Sequence, residues 1–259
     1  MKIKEIIDAI ERYAPLSLQE SWDNAGVQVG NTSLEATGAL LCTDVTEAIV
    51  GEAVERGYNL VISHHPLIFH ALKKITGRSP VERIVEQAIK RDLTIYCAHT
   101  NMDNVPGGVN FKMAEKLGMT DVEILAPRED NGMSGLGVVG HVEPEGAVAF
   151  LKRVKDTFGA RALRYSGNLN RTVGRVALCG GAGASLIEAA LHARADVYVT
   201  GDVKYHEFAA HENSLILADI GHYESEQYTK EIFLDVIQKK NPTFAVAFAS
   251  KEENQVKYL

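Results

Sequence analysis

Cysteine is scarce: Cys42, Cys97 and Cys179 are the only three, each among apolar neighbours and none in a CxxC pair. This argues against a disulfide scaffold, and a reducing compartment such as the cytoplasm fits. Basic charge is in deficit as well. Lys and Arg number 27 against 34 Asp and Glu, a formal net charge of -7. That disfavours non-specific nucleic-acid binding and polybasic membrane attachment, and there is no basic run with interleaved aromatics. No apolar run approaches the roughly 18 residues that a membrane span needs. The opening stretch carries acids inside its apolar pattern, so it reads as an amphipathic helix and not as a secretory leader. Neither GxSxG nor a Ser-His-Asp order occurs, which argues against a serine nucleophile.

What is present is an ordinary globular composition over 259 residues, enough for one large core or two small ones. Ile3, Ile6, Ile7 and Ile10 lie at helical spacing and predict a helix over about 3–13, ended by Pro15. Apolar runs predict buried strands at 38–42, 59–63 and 93–98, alternating with helices near 46–56 and 80–91. That alternation argues for a largely parallel α/β sheet. The pattern then returns. With Cys42 set on Cys179, the next 28 residues align without a gap, so that GALLC meets RVALC and YNLVIS meets ADVYVT. Two domains of similar topology explain this, although any two βαβ pieces share a burial pattern. Later elements are a helix near 145–158, a strand at 215–219, a helix from His222 to about Gln238 and a strand at 244–248.

Nine histidines occur, and several follow apolar strands, where open α/β sheets place function. His64 and His65 end one strand. His99 and Asp103 follow a second. His222 and Glu226 follow a third, at the i,i+4 spacing that puts both on one helical face. Imidazole and carboxylate at three strand ends form a ligand set for a mid-row divalent metal. His64, His65, Asp103, His222 and Glu226 make five candidate ligands, more than one tetrahedral ion needs and suited to two adjacent ions. Other features are weaker. Gly180-Gly-Ala-Gly-Ala184 reads either as a phosphate-cradling loop or as a tight turn. The stretch Thr200–His206 offers His206 either as a proton carrier or as a structural helix-start residue. The single tryptophan, in Ser21-Trp-Asp-Asn24, reads either as a structural plug or as part of a pocket rim.

Five stretches taken together resemble the NIF3-like (DUF34) family in its short form, without the inserted middle domain. They are SWDNAGVQVG, ISHHPLIF, AHTNMD, TGDVKYHE and DIGHYESE. The resemblance implies an α/β fold of two interlinked domains of similar topology. The expected outer domain comprises 1–127 with 214–259 and carries the ligands; the inner one is 128–213 and faces the metal cleft. It further implies two divalent ions per chain, drawn from zinc, iron, manganese, cobalt and nickel. His64 would pair with His222 and His65 with Asp103, Glu226 bridging the two ions and His99 standing behind the ligands. A toroidal homohexamer and the label GTP cyclohydrolase 1 type 2 homolog come with the family. The label implies metal-assisted opening of a purine ring, but only Lys204 and Arg128 offer themselves near the motifs as triphosphate donors. Three functions follow as expectations: a metal-dependent hydrolase of a small molecule, with His99 and His206 as catalytic candidates; a non-catalytic metal-handling or regulatory protein; and an interaction module whose metals only stabilise the fold.

Overall fold

Short strands whose four residues are all buried form the centre of each of two units. The structure, a computed structural model, describes residues 1–129, 132–210 and 214–259. His211 lies outside the described residues. The chain divides into a first unit, Met1–Val105 with Thr229–Glu253, and a second, Pro106–Tyr228 with Asn254–Leu259.

In the first unit, numbering elements in chain order, helix α1 (Ile3–Tyr13) precedes strand β1 (Gly26–Val29). Then come β2 (Ala39–Cys42), α2 (Glu47–Glu55), β3 (Leu60–Ser63), α3 (Pro80–Lys90), β4 (Thr94–Cys97) and the short α4 (Thr100–Asn104). The chain returns later with α10 (Thr229–Lys240) and β11 (Val246–Phe248). The sheet order is β1-β4-β3-β2-β11, parallel except for the antiparallel edge β1. β2, β3 and β4 read as unbroken apolar runs because both their faces are covered. Leu40, Val61 and Ile95 pack with Ile49, Ala53, Ile84 and Ala88 of α2 and α3. By strand alternation Leu41, Ile62 and Tyr96 face the other side, where α10 lies on β2 and α1 on α10.

The second unit contains α5 (Val109–Lys116), β5 (Thr120–Pro127), β6 (Gly135–Gly146), α6 (Ala147–Thr157), β7 (Arg164–Ser166) and β8 (Thr172–Leu178). It continues through α7 (Ile187–His192), β9 (Val197–Thr200), α8 (Tyr205–Ala210), β10 (Ile216–Asp219) and α9 (His222–Glu226). Its sheet order is β5-β6-β8-β9-β10-β7, with β8, β9 and β10 parallel and the others antiparallel.

The internal repeat is a matter of register as well as of pattern. Ala39 lies opposite Leu60 in the first sheet and Val176 opposite Val197 in the second, the same offset in both. Each central trio ends in a short antiparallel edge strand, β1 on β4 and β7 on β10. Even the residue that follows that edge strand repeats. Gly30 and Gly167 have φ of 111° and 106°, and a Cβ on either would strike the start of the neighbouring strand, at the Cα of Thr94 or of Ile216. The common plan is a parallel trio edged by one antiparallel strand.

The first sheet is largely parallel, as the alternation predicts, whereas the second is mixed because β5, β6 and β7 pair antiparallel. Two expectations need correction. The expected helix from His222 to Gln238 is two helices. Gln227 donates to the Phe158 carbonyl and Tyr228 to that of Thr157, which ties the break to the core of the second unit. The units also divide at Val105 and Tyr228 rather than at 127 and 213. β5 belongs with β6, and the strand at 216–219 pairs with β9 and β7 instead of returning to the first sheet. Only α10 and β11 return.

The return is secured by one buried acid. Glu52 of α2 is 2% exposed and accepts hydrogen bonds from the Ser250 and Lys251 amides, the Ser250 hydroxyl and Arg56. Burial opposes its ionisation, but these donors outweigh that and lower its pKa from 4.5 to about 2. Since the folded state holds the proton less tightly than the unfolded chain, the stabilisation is complete above pH 4.5 and is lost as pH falls toward 2. Glu52→Gln should cost about 2–4 kcal/mol at pH 7 and flatten the acid limb of stability, read from urea melts between pH 7 and pH 3.

Candidate metal centre

β3 and β4 end level with each other, Ser63 opposite Cys97, so the residues that follow them emerge side by side. The His64 and His65 amides donate to the Cys42 and Thr43 carbonyls, which carries the ladder past the strand and fixes both backbones. His64 is fully buried and its Nδ1 donates to the Ala98 carbonyl at 3.1 Å. A carbonyl can only accept, so the proton is on Nδ1 and Nε2 is the acceptor nitrogen. The Nδ1 of His65 meets Asp44 Oδ1 at 2.8 Å, and that of His99 meets Asp23 Oδ1 at 2.8 Å, with the same consequence. One ring nitrogen from each of His64, His65 and His99 lies within 4.8 Å of the others. Asp103, one helical turn beyond His99, brings Oδ1 to 3.7 Å from His64 Nε2. Asp103 thus stands beside His64, whereas the division implied by the resemblance had put it with His65.

Asp23 supports this half of the ligand set. Its side chain is fully buried and takes hydrogen bonds from His99, from the Thr100 amide and from the Thr100 hydroxyl. Burial by itself would raise its pKa; the His99 and Thr100 bonds outweigh it and hold the carboxyl well below its usual range.

In the second unit the equivalent strand ends carry the other candidates. His222 opens α9, with Nδ1 at 2.8 Å from Asp202 Oδ2 and Nε2 at 3.0 Å from Glu226 Oε2. Asp219, buried at the end of β10, accepts from the Gly221 amide and from Val203, and so sets the turn into α9. Glu226 is 3% exposed. Space for it comes from Gly181, where φ is 63° and a Cβ would stand 2.2 Å from Glu226 Oε1. An anionic oxygen that close to an acceptor nitrogen must share a proton or a cation with it.

The glycine loop at 180–184 is a turn and not a phosphate cradle. Its Gly180, Gly181 and Gly183 amides donate to Asn110, Ser225 and Thr200 side chains. His206 is exposed on α8, with its ring against Tyr205 at 5.5 Å, and no contact joins it to His222 or Glu226 among the described residues. Trp22 is 59% exposed and so is no plug. Sequence reasoning missed Asp44 as the support of His65. The available signal was its position two residues past the end of β2, the same strand-end logic that singled out His64. Asp202 stood in the alignment opposite His65 without its supporting role being apparent. The three cysteines are buried and unbridged, and burial pushes the Cys42 and Cys97 thiols up, which keeps them protonated.

Gly181→Ala should move the Glu226 carboxylate away from His222 and impose a left-handed conformation on alanine at a cost of about 1 kcal/mol. Zinc affinity, measured by competition with a chromophoric chelator, should fall at least about tenfold while far-UV circular dichroism is unchanged. Asp44→Asn should weaken zinc by about 10- to 100-fold through His65 alone.

Comparisons with known proteins identify the family. The model of the family described as Duf34/NIF3 (NGG1p interacting factor 3) matches residues 1–255. A Lactococcus lactis protein named GTP cyclohydrolase 1 type 2 homolog is 39% identical over 229 residues, 86% of each chain. Staphylococcus aureus protein SA1388 superposes with a TM-score of 0.92 at 26% identity, covering 100% of this chain and 99% of that one. A Bacillus cereus protein related to NIF3 superposes with a TM-score of 0.91 at 25% identity over 100% of this chain and 99% of that one. With the family model matching residues 1–255 and a relative 39% identical over 86% of each chain, this chain belongs to the Duf34/NIF3 family.

Proposed function

We propose that this protein binds two divalent ions through His64, His65, Asp103, His222 and Glu226 and uses them to hydrolyse a small-molecule substrate. The observation that carries the reading is the anchoring of every imidazole concerned. His64, His65, His99 and His222 each spend Nδ1 on a carbonyl or carboxylate and keep Nε2 for another partner. Protein supports of this kind orient histidine ligands and raise their basicity. The donor set, imidazole with carboxylate, suits zinc, iron, manganese, cobalt or nickel. The name of the Lactococcus lactis relative, GTP cyclohydrolase 1 type 2 homolog, supports hydrolysis as the chemistry.

Divalent ions, when bound, supply Lewis acidity and lower the pKa of water. The chain's own residues do the rest. Glu226 offers two oxygens and a full negative charge from a buried position, which suits a bridge between two cations. His64 and His222 are fixed at Nδ1, so each would lose a hydrogen bond if its ring turned, and each would hold a bound ion in a set orientation. His99 turns Nε2 toward His64 and His65 and is held by Asp23 at Nδ1, so Nε2 is placed to accept a proton from a group at that position. The family resemblance supports a toroidal homohexamer, and sedimentation showing only monomer at micromolar concentration would overturn that part.

Metal content by plasma mass spectrometry on wild type, Glu226→Gln and Asp103→Asn, after identical dialysis, tests the centre. Two ions per chain are expected in wild type, loss of one or both in Glu226→Gln, and weakening of the single ion shared with His64 in Asp103→Asn. A wild type that never exceeds one ion after reconstitution sinks the two-metal reading. Turnover of a nucleotide and ester panel should vanish with Glu226→Gln. Full metal loading with ready exchange and no turnover would establish a metal-handling protein instead.

A further inference from the structure

Two large aromatic side chains stand in solvent beside the first unit's histidines. Trp22 is 59% exposed and Phe69 is 46% exposed. Their ring centroids are 5.9 Å apart at an interplanar angle of 48°. Trp22 meets the His99 ring at 5.9 Å and Phe69 meets it at 6.3 Å, both edge-on. His99 in turn stands 5.3 Å from His64 and 5.4 Å from His65.

The loops that carry these rings are not loose. Asp23, next to Trp22, is buried under His99 and Thr100. The Glu20 amide donates to the Thr100 hydroxyl at 2.8 Å, and the Ala25 amide to Gln19 at 3.0 Å. Asn24 then bonds the other loop directly, its Nδ2 donating to the Ile68 carbonyl at 2.7 Å. Gln28 accepts from the Ile68 amide at 3.0 Å and donates to the Asn24 carbonyl at 2.7 Å. Trp22 and Phe69 are therefore held in place by neighbours that satisfy their own polar groups, while the rings themselves remain in water. A rigid loop that exposes its largest apolar side chain is organised for a ligand, because an ordered ring pays little further entropy on binding.

We propose that Trp22 and Phe69 form a stacking wall that receives the planar heteroaromatic ring of a small-molecule substrate and turns its edge toward His99 and the adjoining ligands; this rests on the metal reading above. The tilted ring pair supports the choice of occupant. Because the two rings do not lie flat on each other, an indole face and a phenyl face are left open, and a flat π-system fills such a gap better than an aliphatic chain. The polar edge of a heterocycle then meets imidazole rather than apolar carbon. Both aromatics act by positioning and neither is placed in the proton transfer.

Trp22 is the only tryptophan, so its fluorescence reports the wall in the intact protein. Zinc-loaded full-length chain is titrated with adenosine, guanosine and cytidine, and with ribose and tetramethylammonium as controls. Saturable quenching by at least one nucleoside and none by ribose is expected. Phe69→Leu, which keeps apolar bulk, should weaken that nucleoside by about 10- to 100-fold, and Trp22→Leu should do the same by calorimetry, both with zinc content unchanged. The proposal is overturned if no nucleoside binds the zinc-loaded protein, if both variants bind as wild type does, or if tetramethylammonium alone binds. It is also overturned if either variant loses zinc, which would make the wall a prop for the ligands. If wild type takes up no zinc yet nucleosides quench Trp22 and Phe69→Leu abolishes this, the metal reading fails and the wall stands.

Discussion

Everything at the candidate centre depends on where the protons of four imidazoles lie. A neutral histidine has one donor and one acceptor nitrogen, and the two exchange at little cost unless the protein chooses between them. Here the choice is made at Nδ1, by the Ala98 carbonyl for His64 and by Asp44, Asp23 and Asp202 for His65, His99 and His222. Each ring is thereby held in orientation and presents Nε2. The carboxylates also place negative charge behind the ring, which favours a cation in front of it.

Those supports are available because the same small scaffold is built twice. A parallel trio edged by an antiparallel strand leaves loops at the carboxyl ends of its strands, and those loops carry the polar side chains. The two copies divide the roles differently. After the middle strand, the first copy supplies the ligand candidates His64 and His65, and the second supplies Gly201 and the supporting Asp202. After the third strand, α4 and α9 are both five residues long, one ending in Asp103-Asn104 and the other in Ser225-Glu226. Divergence within a conserved register lets each loop specialise without disturbing the sheet beneath it.

Close packing of backbone against side chain then sets the fine positions. The loop at 180–183 spends its amides on Asn110, Ser225 and Thr200, and its glycine at 181 leaves just enough room for the Glu226 carboxylate. No anion is needed to satisfy that loop. Elsewhere buried Glu52 performs a purely structural task, gathering the chain at 250–251 onto α2. The two acids are equally buried but differ in their surroundings. Glu52 is surrounded by donors, while Glu226 faces an imidazole nitrogen.

Sequence alone determined the trio strands, because a strand buried on both faces must be an unbroken apolar run, as in Leu60–Ser63 and Thr94–Cys97. It also singled out His64, His65, His99 and His222, which follow such runs and which the fold places at strand ends, together with His206, which the fold leaves exposed beside Tyr205. The i,i+4 geometry of His222 and Glu226 followed from helical periodicity. Tertiary structure decided the rest. The antiparallel strands carry partly exposed residues, so β1 and β7 show no continuous apolar signal. Strand 216–219 looks like any buried strand, and only its hydrogen-bonded neighbours reveal which sheet it joins. The helix break at Gln227 and Tyr228 comes from contacts with Phe158 and Thr157, about 70 residues away in sequence. The supports Asp23, Asp44 and Asp202 are ordinary surface-type residues in the sequence. They become part of the centre only because folding brings each carboxylate to one particular imidazole nitrogen, a distance that local pattern does not encode.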